Sequence, residues 1–388
     1  MKVLHVSNKP AYPRIDGGAI AISQLLLGLI ANDQTDVTHF TLSTHKHTFD
    51  IRNYPTALSH QKIVNFPINT AVSISGALWS LIKNESYNVV RFYDPSVSKK
   101  MENYLTEHTF DYVILESIFL LPYTELFRSK GIKVILRAHN VEHHIWEQQA
   151  KRCLSFVKKV YFNKLAKQLK LYELSALKAV DGIMVISDQD ARYFQSQFPE
   201  KPIATIPTSF SSVNETSDYT KNDFYFLGAM DWTPNEEGVD WLLKKVIPMA
   251  HSSLKIHLAG KSMNCARLSS TQIHCHGEVD DAKSFILSHG ICLIPIQSGS
   301  GIKIKLLENM ALGKPIITTS EGARGVNVIH DEHVIIADSP KDFVDAMLEL
   351  NNNTEKRIRL GSAARDFVID NFSEEIISTR ILEFITSI

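Results

Sequence analysis

The sequence has few cysteines, no excess of either charge and no long apolar run. Four cysteines among 388 residues are too few for a disulfide framework, which favours a reducing compartment. The 41 Lys and Arg residues balance 42 Asp and Glu residues, and the resulting net charge of −1 argues against a nucleic-acid partner. The most apolar window, 71–82, is too short to cross a bilayer, and the first residues lack the apolar stretch of a secretory signal. We therefore expect a cytoplasmic protein.

Short apolar runs alternate with helical patterns along the whole chain. In the first half, strand-like runs lie at 2–7, 37–42, 89–92, 112–115, 134–137 and 182–186. In the second half, they lie at 224–227, 255–259, 273–276, 291–294, 315–318 and 334–336. This alternation predicts parallel sheets with helices on both faces. We expect an α/β protein with two Rossmann-like, doubly wound domains.

A polar stretch over 201–222 separates the two halves and predicts a linker. The expected domains are 1–200 and 201–370, followed by a C-terminal helix over 371–388 that could pack on either domain and cross back to the first. Two such domains usually face each other across a cleft, and ligands bind at the carboxyl ends of the strands.

The most informative segment runs from 297 to 319, where a strand leads through a glycine-containing turn into a helix predicted over 301–312. Gly299 and Gly301 permit close backbone approach to a ligand, and the helix start offers free N–H groups to an anion. Lys303 and Lys305 add positive charge, while Glu308 could bind sugar hydroxyls. The segment is neither a Walker loop nor a GxGxxG loop. Its residues fit a diphosphate-and-hydroxyl site and an ordinary strand-to-helix turn with a basic face about equally well.

Five segments in the same order resemble the GT-B glycosyltransferases of the large retaining GT4 group. Residues 299–315 resemble the donor-binding signature of that group, 226–235 the first strand and loop of its C-terminal domain, 276–281 its base-binding loop, 183–190 the segment closing its N-terminal domain, and 16–18 its N-terminal glycine loop. The resemblance implies a GT-B fold, a nucleotide-sugar donor on the C-terminal domain and an acceptor on the N-terminal domain. It also implies that neither a metal nor another cofactor is required.

The resemblance also assigns roles to individual residues. On the donor side these are Lys303 and Lys305 with the amides of Gly301 and Ile302 for the diphosphate, Glu308 for the ribose, and Gly277, Glu278 and Val279 for the base, with Gly228 and Ser300 as further donor-binding residues. On the other side they are His139 for the transferred sugar and Gly17 and Gly18 for backbone approach to the phosphate. Ser300 departs from the family, because many members have a glutamate there. No basic residue follows the strand over 224–227, and Lys303 and Lys305 are expected to supply that charge.

Four further features of the sequence have two readings each. Glu116, after a predicted strand, could meet the acceptor hydroxyl or cap a helix. Two sets could suggest a metal, namely His139, His143 and His144, and Cys265, Cys275, His274 and His276; a metal is not expected at either, and for the second set a structural role is expected. The segment 151–170 has seven Lys or Arg residues and no acid, so it could lie on an anionic membrane or pack as a helix with a solvated basic face.

Together these features predict a retaining glycosyltransferase. Its expected reaction is transfer of a sugar from a nucleoside-diphosphate sugar to a hydroxyl of a glycan or lipid-linked acceptor, in the synthesis of a cell-envelope polysaccharide such as capsule or lipopolysaccharide. A nucleotide-sugar epimerase of the same fold, and a nucleotide-binding subunit without turnover, are the alternatives.

Overall fold

The computed structural model describes residues 1–58, 61–83, 85–153, 155–210, 217–268, 271–299 and 301–388. The chain forms two compact units, Met1–Ser209 together with Glu374–Ile388, and Phe210–Ser373. Each unit is built on one parallel sheet with packed helices, which confirms the predicted α/β fold class.

The first unit has a seven-stranded sheet in spatial order β3-β2-β1-β4-β5-β6-β7. Its strands are β1 (Lys2–Ser7), β2 (Asp36–Ser43), β3 (Lys62–Pro67), β4 (Tyr112–Glu116), β5 (Lys133–Ala138), β6 (Gly182–Val185) and β7 (Ile203–Thr205). Every neighbouring pair is parallel. The strand order reverses between β1 and β4, and in open sheets of this kind ligands bind at the carboxyl ends beside such a reversal.

Helices cover both faces of this sheet. They are α1 (Gly17–Ile30), α2 (Ile74–Lys83), α3 (Tyr87–Val90), α4 (Pro95–Glu107), α5 (Thr124–Arg128), α6 (Glu142–Arg152), α7 (Phe156–Ala176) and α8 (Asp188–Gln197), with 3₁₀ turns at Ile51–Asn53, Thr56–Leu58, Ile118–Tyr123 and Leu177–Ala179. Alternate residues of β1 reach opposite faces, so that Val3 joins the core beneath α1 and Leu4 joins the core beneath α4.

Two features of the first sheet differ from the sequence prediction. Residues 89–92 were expected to form a strand, but α3 occupies Tyr87–Val90, because only Val89 of the β-branched pair is buried while Val90 is 42% exposed. The edge strand β3 was not predicted, since its half-exposed residues give no continuous apolar run.

The second unit has a six-stranded parallel sheet in spatial order β10-β9-β8-β11-β12-β13. Its strands are β8 (Phe224–Leu227), β9 (Ile256–Ala259), β10 (Ile273–Gly277), β11 (Ile291–Ile294), β12 (Ile316–Thr318) and β13 (Ile335–Ile336). Its helices are α9 (Thr233–Trp241), α10 (Ala282–Ser288), α11 (Ile304–Ala311), α12 (Ser320–Ala323), α13 (Pro340–Asn352) and α14 (Thr354–Phe372), with a π-helical turn at Leu242–Val246 and 3₁₀ turns at Ile247–Met249 and Cys265–Arg267. The strand order reverses between β8 and β11.

The final helix, α15 (Glu374–Ser387), packs in the first unit against α1. Ser378 Oγ donates a hydrogen bond to the Gly28 carbonyl oxygen at 2.7 Å. A Cβ atom at Gly28 would lie 3.5 Å from Ile381, an ordinary van der Waals distance, so the two helices are in direct contact here.

The cysteines differ from the expectation. Cys265 and Cys275 form a disulfide, whereas Cys153 and Cys292 are free thiols. The cysteine content therefore no longer favours a reducing compartment. Within the described ranges, no helix has both the length and the apolar character needed to span a membrane.

Candidate functional site

The carboxyl ends of β8 and β11 lie side by side in the second unit, at the reversal of strand order. Lys305 on α11 joins this helix to the end of β8 and to α9, because its Nζ donates to the Leu227 carbonyl oxygen at 3.0 Å and to Asn235 Oδ1 at 2.7 Å. The ammonium also lies 4.4 Å from the centre of the Phe226 ring. A cation is thus held where an open α/β sheet binds its ligand.

Gly228 is required by this arrangement. A Cβ atom there would lie 2.5 Å from Lys305 Nζ and 2.8 Å from Asn235 Nδ2, closer than a carbon can approach either atom. Glycine at 228 therefore makes room for the Lys305 ammonium, and the assignment of Gly228 to donor binding stays a prediction.

The two lysines of the segment are engaged rather than free. Burial lowers the pKa of Lys305 to about 8. Burial also lowers the pKa of Lys303, although the neighbouring Glu321 carboxylate opposes that change. Lys303 Nζ donates to the Gly301 carbonyl oxygen at 2.9 Å and lies 3.5 Å from Glu321 Oε1. Glu321 and Asn235, which hold these ammonium groups, were not identified from the sequence.

The helix after β11 begins later than expected. Gly301 has a φ of +69°, which a right-handed helix excludes, and α11 starts at Ile304 with Lys303 as its N-cap. The Lys303 side chain makes no capping hydrogen bond. The helix-start amides are therefore those of Ile304 and Lys305, and Gly301 and Ile302 lie in the loop before them. The assignment of the Gly301 and Ile302 amides to the diphosphate stays a prediction.

The remaining donor-side residues lie along the same edge of the sheet. Glu308 is half-buried on α11, one turn beyond its first residue. Gly277 ends β10 with a φ of +71°, and it is followed by an exposed Glu278 and a half-buried Val279. Ser300 lies outside the described residues.

In the first unit, a buried polar network joins the carboxyl ends of neighbouring strands. Glu116 ends β4 and is fully buried, and its Oε1 accepts from His5 Nε2 at 3.0 Å. Its Oε2 accepts from Nε2 of His139, just after β5, at 2.5 Å. His5 Nδ1 in turn lies 3.0 Å from His39 Nδ1. Glu116 therefore neither caps a helix nor faces an acceptor: it positions His139, whose side chain is 18% exposed.

The charge of Glu116 is fixed by its neighbours. Burial alone would raise the pKa of this carboxyl, but the charge and hydrogen bond of His139, the hydrogen bond of His5 and the charge of Arg137 hold it well below its ordinary value. His5 and His39 were missed from the sequence as site residues. A histidine near the middle of each of two neighbouring strands was the available signal.

Gly17 and Gly18 form the first turn of α1. Asp16 caps this helix by accepting from the Ala19 amide at 2.8 Å, and it pairs with Lys9 Nζ at 2.5 Å. A Cβ atom at Gly18 would lie 2.7 Å from Lys9 Nζ, so glycine makes room for this ion pair.

The histidines at 139, 143 and 144 do not form a metal site. His143 is fully buried, with Nδ1 2.5 Å from Glu173 Oε2 and Nε2 3.1 Å from the Tyr193 hydroxyl. His139 is bound to Glu116 instead. In the second set suspected of binding a metal, Cys265 and Cys275 are bonded to each other, so neither sulfur is a free thiolate ligand.

The basic segment consists of the end of α6 and most of α7. Its apolar residues divide into two groups, since Leu165 and Leu169 are buried whereas Val157 is 76% exposed. The exposed group also contains Phe156, at 78%, and Val160, at 53%. Leu154 lies outside the described residues.

Comparison with known proteins identifies relatives of both sequence and fold. Residues 221–353 match the family model described as "Glycosyl transferases group 1", a range that contains the β8 and β11 ends. An uncharacterized 44.6 kDa protein in the cps region of Klebsiella pneumoniae is 21% identical, over 98% of this chain and 99% of the relative.

Solved structures match along the whole chain. Sucrose-phosphate synthase from Thermosynechococcus elongatus has a TM-score of 0.71 at 14% identity, with 100% of this chain and 99% of that chain covered. Anabaena HepE in complex with UDP and glucose has a TM-score of 0.66 at 12% identity, with 100% of both chains covered. The structural matches confirm the predicted GT-B fold, and the family match confirms the predicted enzyme class, a glycosyltransferase.

Proposed function

We propose that this protein is a retaining glycosyltransferase of the GT4 type that uses a nucleoside-diphosphate sugar. The observation that carries the proposal is the group 1 family match over 221–353, which spans the reversal of strand order where Lys305 is held. HepE, a structural match over the whole chain, was solved with UDP, which supports a nucleotide diphosphate as the leaving group. The relative in a cps region supports an acceptor in cell-envelope polysaccharide synthesis.

The second unit has the groups needed to stabilise a departing diphosphate. The start of α11 directs uncapped amides and the positive end of its dipole towards the carboxyl edge of the sheet. Lys303 and Lys305 are held beside it, so their charge is preorganised. We assign Glu308 to the ribose hydroxyls, and Gly277, Glu278 and Val279 to the base.

The first unit supplies a positioned histidine. Both oxygens of Glu116 are used by His5 and His139, which fixes the ring of His139 at the end of β5. We assign His139 to the transferred sugar and the first turn of α1, at Gly17 and Gly18, to the reacting phosphate. The sugar carbon breaks its bond to the diphosphate oxygen and bonds to the acceptor oxygen on the same face. The acceptor proton passes to the leaving diphosphate, so the step requires neither a covalent nucleophile nor a bound metal.

The first test is a thermal-shift screen against UDP, GDP, ADP, CDP and dTDP. A ligand at a hundredfold excess over its Kd stabilises a protein by about 2.7 kcal/mol, so the cognate nucleotide should raise the Tm measurably. We expect one of the five to act, and the screen then identifies the base. No shift with any of them would contradict the donor site.

Product analysis distinguishes a transferase from an epimerase and from a binding subunit without turnover. With the cognate nucleotide sugar and envelope glycans or lipid-linked saccharides as acceptors, a transferase releases nucleotide only when the acceptor is present. An epimerase would convert the donor sugar without any acceptor, and a binding subunit would leave the donor intact.

We also propose that α7 contacts the anionic membrane surface. Its first two turns expose Phe156, Val157 and Val160, which lie on one side of the helix by their spacing. Lys158 and Lys159 are exposed beside them. An apolar side chain next to clustered cations fits a surface with anionic headgroups over acyl chains.

Liposome sedimentation tests this contact. Substitution of Lys158, Lys159 and Lys167 by Gln should reduce binding to anionic vesicles by about a hundredfold, since each cation near such a surface contributes about 1 kcal/mol. A matched control replaces three exposed lysines of the second unit, Lys245, Lys255 and Lys341, by Gln. Equal pelleting of both triple variants would refute the contact.

A further inference from the structure

Three histidines of the second unit converge beside the loop assigned to the nucleotide base. His257 lies on β9, His276 on β10, and His289 just before β11, and one ring nitrogen of each lies within 4.8 Å of those of the other two. Among the described residues, this group brings three potential ligands close enough together to bind one metal ion. Nothing in the proposed transfer reaction uses these side chains.

The spacing of the closest pair is near that of ligands on a tetrahedral metal. His257 Nδ1 and His276 Nε2 are 2.9 Å apart. Two imidazole nitrogens on a tetrahedral Zn²⁺ ion, each bonded at about 2.0–2.1 Å, lie about 3.3 Å apart. A small outward movement of either ring therefore admits an ion between them.

Asp223 orients the third histidine. His289 Nδ1 donates to Asp223 Oδ2 at 2.5 Å, which leaves Nε2 as the ring nitrogen available to an ion. The same carboxylate oxygen lies 3.6 Å from His257 Nε2 and so leaves Nδ1 of that ring available. A carboxylate that accepts from the distal nitrogen of a ligating histidine is the usual second layer of a zinc site.

The backbone also places His276 specifically. In the β10–β9 pairing, Cys275 is opposite Leu258 and Gly277 is opposite Ala259, so His276 is an extra, bulged residue. Such bulges redirect a side chain. The bulge brings His276 within hydrogen-bonding distance of His257.

The surroundings suit neutral imidazole ligands reached from solvent. The His257 ring is half-buried and stacks on the His289 ring, with centroids 4.1 Å apart. Phe285 packs against the rings of His276 and His289, with centroids 5.3 and 4.6 Å away. His276 is exposed and gives an ion a path to the site.

We propose that His257, His276 and His289 form a binding site for Zn²⁺, with Asp223 as the group that orients the ligands. Imidazole nitrogens suit Zn²⁺ among the divalent metals, and a fourth, water-filled position completes the tetrahedron. The ion would join β9, β10 and the turn before β11. Because His276 directly precedes Gly277, it would also fix the start of the loop assigned to the nucleotide base.

Calorimetric titration of ZnCl₂ tests the site on untagged, chelator-treated full-length protein without reductant, so that the Cys265–Cys275 disulfide is kept. We expect one equivalent to bind. His276→Gln and His289→Gln should each weaken binding at least tenfold, and Asp223→Asn should weaken it by about 10–100-fold. His276 is exposed, so its substitution should leave the Tm of the metal-free protein unchanged.

The matched control is His274→Gln, on the same strand, whose ring stacks on His257 at 5.0 Å but lies outside the group of three. It should bind Zn²⁺ as the wild type does, and so should Cys153→Ser. Co²⁺ added to the wild type should give the intense visible bands of a tetrahedral ion, which His276→Gln should lose. Absence of saturable binding, or equal binding by wild type and the His276 and His289 variants, would overturn the proposal.

Discussion

Glu116 shows how one residue can organise a site without facing it. The carboxylate is fully buried, yet it remains ionised because His139, His5 and Arg137 surround it. Removing the charge of a group held by several donors leaves those donors without their partner. The residue therefore links the stability of the first unit to the orientation of His139.

Glu116→Gln should lower the stability of the first unit by about 1–3 kcal/mol at neutral pH. The pKa of Glu116 is lower in the folded than in the unfolded state, so its stabilising contribution is fully present above about pH 4.5 and is lost as the pH falls below that value. The Tm difference between wild type and variant should thus shrink on acidification. Most of the loss falls between pH 4.5 and the much lower folded-state pKa, so thermal melts from pH 7 down to about pH 2 measure it.

Glu125→Gln is the control for this prediction, because Glu125 is exposed on α5. Its Tm should follow that of the wild type at every pH. If Glu116→Gln did so too, the buried network would contribute nothing to stability.

Lys305 gives a second prediction about a single residue. Since burial lowers the pKa of its ammonium to about 8, the cation beside the diphosphate is lost as the pH rises through that value. The Kd for the cognate nucleoside diphosphate should therefore rise several-fold between pH 7 and pH 9. Calorimetry at a series of pH values measures this dependence.

Lys305→Met keeps the volume of the side chain and removes the charge, so it should bind the nucleotide weakly and lack this pH step. Lys341→Met, at an exposed position, should retain the step, and the comparison removes changes that arise in the nucleotide itself. An identical pH profile for both variants would exclude Lys305 from diphosphate binding.

At the scale of elements, helix α15 belongs to the first unit although it is distant from that unit in the sequence. It follows α14 of the second unit in sequence, yet Ile381 is only 1% exposed because it packs against α1 of the first. Ile381→Ala should destabilise the first unit by about 2–5 kcal/mol, as expected for a large-to-small change in a core.

Ile358→Ala on α14 is the matched control, since Ile358 is 45% exposed. Thermal melts of both variants measure the two changes in Tm, and the change should be larger for Ile381→Ala. A Tm change of equal size would mean that α15 adds little to the first unit.

Sequence reasoning succeeded for elements whose residues are buried on both faces. Strands β1, β8 and β11 were predicted with their exact bounds, because continuous apolar runs between turn residues identify central parallel strands. Edge strand β3 was missed and helix α3 was taken for a strand, since the exposure of their residues depends on which neighbouring elements cover them. That information lies in the tertiary structure.

The candidate site was predicted in outline but not in its contacts. The glycine-containing segment after β11 does lie at the strand reversal, as its spacing and the family resemblance indicated. The positive φ of Gly301, which delays α11 to Ile304, cannot be read from residue types, because glycine permits that conformation without requiring it. The partners Asn235 and His5 were missed because their contacts join elements distant in sequence.

For the whole molecule, the two units have different roles in the proposed reaction. The second, which contains the group 1 match, is assigned the donor nucleotide, and the first is assigned His139 and the acceptor. Nucleotide binding should then depend on the second unit and be insensitive to the buried network of the first.

The most direct measurement is calorimetric titration of the cognate nucleoside diphosphate into wild type, Glu308→Gln and Glu116→Gln. We predict one site per chain in the wild type, a Kd at least tenfold weaker in Glu308→Gln, and an unchanged Kd in Glu116→Gln. Unchanged binding by Glu308→Gln, together with loss of binding in Glu116→Gln, would place the nucleotide in the first unit and contradict the account.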